Sequence, residues 1–154
     1  MNVRFHLVVG LASACLLLPG CEIFGNDTKP ESALTEARWV LEWVEDLDGD
    51  HVLVPKRGEV YWIEFRADGR AGGVDACNWC GGAYEVGPGD SISIQMGGCT
   101  EIACSPQSLR YSNVMSRTTS YDIRQGRLRI WSTSLVGEAL VLVHRAGAKD
   151  PDGT

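Results

Sequence analysis

Histidine is scarce in this chain, with three residues in 154, at positions 6, 51 and 144. There is no Gly-x-Ser-x-Gly segment and no His-Glu-x-x-His segment. The first absence removes the nucleophile elbow of an α/β hydrolase, and the second removes the helical zinc site of a metallopeptidase. Basic residues are also few, 14 against 20 acidic, for a formal charge of −6, and they form no cluster. That balance argues against nucleic acid or an anionic lipid surface as partner and reads instead as a solvated surface. Long apolar runs are missing too. Leu7 to Leu18 spans twelve residues and is interrupted by Gly10 and Ser13, whereas a spanning helix needs ~20.

Such a run is the right length for the core of an export signal. It follows a short polar start containing Arg4 and ends at Leu18-Pro19-Gly20-Cys21. These four residues resemble the bacterial lipobox, an aliphatic residue at −3 and a small one at −1 before cysteine. The resemblance implies cleavage after residue 20 and a thioether-linked diacylglycerol on Cys21. Two or more acyl chains hold a protein stably on a membrane. Glu22 in place of Asp lacks the inner-membrane retention signal of enteric lipoproteins, so a cell with two membranes is expected to carry the protein on the outer one.

Residues 1–20 are therefore expected to be a leader and 21–35 a flexible tether, since Gly25, Asn26, Pro30 and interspersed charges show no periodicity. Residues 36–146 are long enough for one core and too short for two. Residues 147–154 are expected to be a loose tail.

Four cysteines fall within the expected domain, at 77, 80, 99 and 104. An even number in an exported domain reads as disulfides. Three connectivities are possible. In an antiparallel hairpin, paired residue numbers have a nearly constant sum. The outer pair sums to 181 and the inner to 179, and the midpoint falls on Gly87-Pro88-Gly89-Asp90, a turn signal. Pairing 77 with 99 and 80 with 104 fits one ladder less well, and pairing near neighbours closes only small loops.

Turn signals recur at Asp48-Gly49, Asp68-Gly69, Gly81-Gly82, Pro88-Gly89, Gly97-Gly98, Gln125-Gly126 and Val136-Gly137. Between them lie strand-like alternations: Tyr61, Ile63, Phe65 and Ala67 against Glu64 and Arg66; Ile92 and Ile94 against serines; Tyr121 and Ile123; Leu128 and Ile130. Ala139 to Val143 is apolar throughout and suits a more buried strand. Trp39, Leu41 and Trp43 share a face if extended, although Trp39, Val40, Trp43 and Val44 would also suit a helix. Ser105-Pro106 is a helix start, and Tyr111, Val114 and Met115 form a short apolar stripe. The expectation is a mainly β, α+β domain: a curved antiparallel meander with one short helix, about 106–117, packed on it.

These residues carry a family resemblance. Trp39-Val40-Leu41, Phe65-Arg66-Ala67-Asp68-Gly69, Cys77-Asn78-Trp79-Cys80-Gly81-Gly82-Ala83-Tyr84 and Thr100-Glu101-Ile102-Ala103-Cys104 stand in the order and spacing of a META domain, of the HslJ-like kind found in bacterial envelope proteins. The resemblance implies a Cys77–Cys104 bridge, with Cys80 and Cys99 as an additional staple. It departs at Ala76, where glycine is usual, and at Gln107 or Ser108, where an acidic residue is common. It implies architecture and location and no established catalytic activity.

Sharper chemistry was weighed against this. Four cysteines could hold zinc, but an exported domain meets oxidant first. A redox Cys77-x-x-Cys80 pair needs a helix at the first cysteine, and Gly81-Gly82 follows at once. Asp46-Leu47-Asp48-Gly49-Asp50 resembles part of a calcium loop, yet His51 and Arg57 stand where glycine and glutamate are required; a solvated turn is expected. The five tryptophans, 39, 43, 62, 79 and 131, are expected mostly in the core; an exposed cluster would read as a carbohydrate or peptide platform. The whole reads as a monomeric, lipid-anchored envelope module without cofactor, metal or catalytic residues. The alternative is an enzyme of thiol-redox or metal-assisted type using the four cysteines.

Overall fold

Short alternating runs joined by tight turns satisfy their backbone groups against neighbouring runs. The structure, a computed structural model, describes residues 30–100 and 105–149. Helix α1 (Pro30–Leu34) leads into β1 (Arg38–Asp46), β2 (His51–Leu53), β3 (Tyr61–Phe65), β4 (Arg70–Asp75), β5 (Trp79–Val86) and β6 (Ile92–Cys99). Helix α2 (Pro106–Met115) follows, then β7 (Thr118–Arg124), β8 (Arg127–Thr133) and β9 (Ala139–Gly147). Every ladder is antiparallel, in the order β6-β5-β4-β3-β1-β9-β8-β7, with β2 added on β1. The sheet curls into a half-barrel until its edges approach each other. Ser91 bridges Ser120, and the Ile94 amide donates to Thr118 Oγ1 at 3.1 Å. This is the expected class, a mainly β curved sheet with one short helix packed on it.

The curl has a local cause. A Cβ on Gly73 would lie 2.5 Å from the Trp62 carbonyl oxygen, and one on Gly82 would lie 2.1 Å from that of Gln95. Only glycine lets adjacent strands approach this closely. Gly81-Gly82 accordingly lies inside β5, not at a turn as the dipeptide suggested.

Inside the curl, the alternating residues meet. Tyr61, Ile63, Phe65, Ile92, Ile94, Tyr121, Leu128 and Ile130 are buried together with Tyr111, Val114 and Met115 of α2. The helix starts where expected: Ser105 is its N-cap, accepting from the Ser108 amide at 3.3 Å, with proline following. In β1 the alternation breaks. Trp39, Leu41 and then Val44 are buried, because the β1–β9 register shifts between Leu41 and Trp43. That bulge turns Trp43 outward and explains why the sequence read equally as strand or helix.

Four details depart from expectation. Part of the expected tether is ordered: α1 occupies its last residues, Leu34 is fully buried, and the Trp39 indole donates to the Leu34 carbonyl at 2.9 Å. Strand β9 runs to Gly147, and Lys149 Nζ donates to the Thr35 carbonyl at 2.9 Å. Ala67 is exposed in the β3–β4 turn. Glu64, expected in solvent, is buried and held by Arg38 at 2.7 Å.

His144 lies wholly inside the core, across from Leu41 and Leu128. Neither ring nitrogen has a hydrogen-bond partner. Desolvation pushes its pKa from 6.5 down to about 3; the backbone of Leu142 and Leu128 opposes this only weakly and makes no hydrogen bond to the ring. The folded state therefore binds fewer protons than the unfolded state between these values, so stability is complete above pH 6.5 and falls as the pH drops toward 3. Denaturant titrations at pH 7 and pH 5 should differ by about 2 kcal/mol from this group, at roughly 1.4 kcal/mol per pH unit. His144→Leu should abolish that difference.

Candidate functional site

The cysteines converge at the end of the half-barrel that α2 covers. Cys80 opens β5 and Cys99 closes β6; they are direct cross-strand partners, bonded at S–S 2.03 Å with Cα atoms 4.0 Å apart. The inner rung read from the residue sums is thus present. Gly98 is the extra residue of a bulge between this rung and the Gly81–Gly97 pair. Cys77, in the β4–β5 connection, is also a disulfide cysteine. Its expected partner Cys104 lies outside the described residues, as does Cys21. Cys80 is bonded to Cys99, so Cys77 and Cys80 do not form a redox pair.

Around Cys77 the polar side chains serve the backbone. Asp75 Oδ1 accepts the Asn78 amide at 2.9 Å, and Oδ2 accepts the Ser112 hydroxyl of α2 at 3.0 Å. Asn78 Oδ1 accepts from Thr100 Oγ1 at 3.1 Å, and Thr100 Oγ1 accepts the Trp79 amide at 3.1 Å. Cys77 Sγ lies 3.9 Å from Asp75 Oδ1 and from Ser108 Oγ. Three segments far apart in sequence are locked together this way. Asp75 and Ser112 were not singled out from the sequence. An aspartate at a strand end carries no signal until the helix is placed beside it.

Ala76 also has a physical reading here. Its φ is +75°, a left-handed conformation, while its amide donates to Val60 O at 3.0 Å. Glycine adopts this region without steric cost, which explains the residue usual at this place in the resembling domains.

Beneath α2 lies a cavity of ≈ 90 Å³, bounded by β3, β4, the Cys80–Cys99 bridge and Tyr111, Ser112 and Met115 of the helix. Tyr111 packs edge-on against Tyr61, with centroids 5.0 Å apart. Its hydroxyl is buried without a partner, and burial pushes its pKa up.

The tryptophans do not mostly fill the core. Only Trp39 is buried; Trp43, Trp62 and Trp131 are half-buried, and Trp79 is 49 % exposed. Trp62 and Trp79 flank Val74 in register on the outer face, and Trp79 lies over Gly72 and Gly81. Arg38 stacks on Trp62 at 4.1 Å, and His51 on Trp43 at 4.9 Å. These rings cover the outside of the sheet and leave one open indole rather than a cluster. The Asp46–Asp50 segment is a turn as expected: Asp46 Oδ1 accepts the amides of Asp48 and Asp50 at 3.0 and 2.9 Å.

A family model described as META domain matches residues 32–146. Among solved structures, a DUF4847 family protein from Bacteroides vulgatus ATCC 8482 superimposes with a TM-score of 0.58 at 11 % identity, covering 78 % of this chain and 99 % of that one. Such a likeness speaks for the fold alone. Among curated proteins no relative matches the chain.

Removing the inner rung by Cys80→Ser with Cys99→Ser should destabilise the domain by about 2–3 kcal/mol, the range for a loop of this length. Ala76→Gly should stabilise it by about 0.5–1 kcal/mol, as relief of left-handed strain exceeds the added unfolded-state entropy. Urea midpoints at unchanged m-value test both.

Proposed function

Because this chain belongs to the META-domain family, we propose that it is a non-catalytic module of the cell envelope, held to the membrane by lipid on Cys21. The Cys80–Cys99 rung carries this reading. A bridge between neighbouring strands suits a domain that folds in an oxidising compartment, and it consumes a thiol that the redox or metal-assisted alternative would need. The other polar groups near it are engaged with backbone or with each other, as in a brace rather than a reaction centre. Anchoring rests on Leu18-Pro19-Gly20-Cys21. The nine steps from Cys21 to Pro30 reach ~30 Å when extended, enough to let the domain stand off a bilayer. With Glu22 after the cysteine, the outer membrane is the destination in a cell that has one. The domain acts as a monomer, with the membrane as its constant partner and no nucleic acid.

Cys21→Ser should move the protein from the membrane to the soluble fraction of the envelope, and mass spectrometry of the wild-type N-terminal peptide should find acylated Cys21. An unmodified mature terminus at another residue would refute the anchoring.

A further inference from the structure

We propose that the cavity beneath α2 binds a small, largely apolar molecule carrying one hydrogen-bond acceptor, about the size of a five-membered cyclic ketone. The proposal goes beyond the envelope reading and stands whether or not Cys21 is acylated.

The space is ≈ 90 Å³, about three times the share of one water in the liquid. Its walls are mainly apolar: Ile63, Val74, Met96, Met115 and the Cys80–Cys99 bridge. Methionine walls adapt to a guest because the thioether chain is unbranched and flexible. The polar groups on the rim are almost all occupied. Ser112 donates to Asp75 at 3.0 Å, Asp75 also accepts from Asn78, and Ser116 Oγ donates to the Asn113 carbonyl at 2.9 Å. Tyr111 is the exception: it lines the cavity, is 4 % exposed, and its hydroxyl has no partner.

A buried water typically needs two to four polar partners, and this cavity offers one open polar atom. An unmet buried hydroxyl is costly. A guest with an apolar body and a single acceptor therefore complements the site better than water does. Burial keeps the Tyr111 hydroxyl protonated at neutral pH, so it acts as the donor. Ser116, exposed at the end of α2, forms part of the rim, so the cavity reaches solvent there.

The test uses the full chain with methyl-¹³C methionine, titrated with cyclopentanone and, in parallel, with cyclopentane, which has no acceptor. The Met96 and Met115 methyl resonances should shift saturably with the ketone, and nuclear Overhauser contacts should join the ketone to the Tyr111 ring and the Met115 methyl. Tyr111→Phe should weaken the ketone about three- to tenfold, the loss of one hydrogen bond, and leave cyclopentane unchanged. No saturable shift with either probe overturns the proposal, as does equal ketone affinity in Tyr111→Phe. Should that variant fail to fold, the wild-type contacts decide: ketone contacts found only outside the cavity overturn it.

Discussion

The Cys80–Cys99 rung sits where several constraints meet. It joins the start of β5 to the end of β6, and β6 is an edge of the sheet. An edge strand is held on one side only, so it is the part of a sheet most prone to slip or to pair wrongly. One covalent rung fixes its register, and a one-residue slip would exchange Ile92 and Ile94 for the intervening serines on the core face. The same edge then reaches β7 through the Ser91–Ser120 bridge and the Ile94–Thr118 hydrogen bond. The curl that brings the edges together rests on Gly73 and Gly82, where strands pass too closely for any side chain.

The signature residues of the family gain a physical meaning from this arrangement. Asn78 and Thr100 hold each other across the β5–β6 opening. Tyr84 donates from its hydroxyl to the Arg66 carbonyl at 2.9 Å and packs edge-on against Phe65. Asp68 accepts the Arg70 amide at 3.1 Å and so shapes the β3–β4 turn. Each motif residue closes a turn, an edge or a strand end. The motifs thus specify a container, and the function of an individual member depends on what its walls and rim expose.

Much of the container was legible from the chain. Alternation in β3, β6 and β8 gave the inward residues, Ser105-Pro106 gave the helix start, and the residue sums located the hairpin turn at Pro88–Asp90. The failures have physical causes. Gly81-Gly82 looks like a turn because local sequence does not reveal how closely another strand will pass. Trp43 looked inward because a bulge two residues earlier reverses the face of everything after it. The tryptophans looked like core because hydrophobicity does not say which side of a curled sheet a ring will cover. Leu34 looked like tether because its burial depends on an open barrel end and on the Trp39 indole. The cavity left no sequence trace, since its walls come from β3, β4, β5, β6 and α2 together.

Non-reducing peptide mapping of the purified protein tests the central claim most directly. A cross-linked fragment joining the Cys80 peptide to the Cys99 peptide is the predicted result. A fragment joining Cys80 to Cys77 or to Cys104, or a free thiol at Cys80, would contradict it and would reopen the thiol-redox alternative.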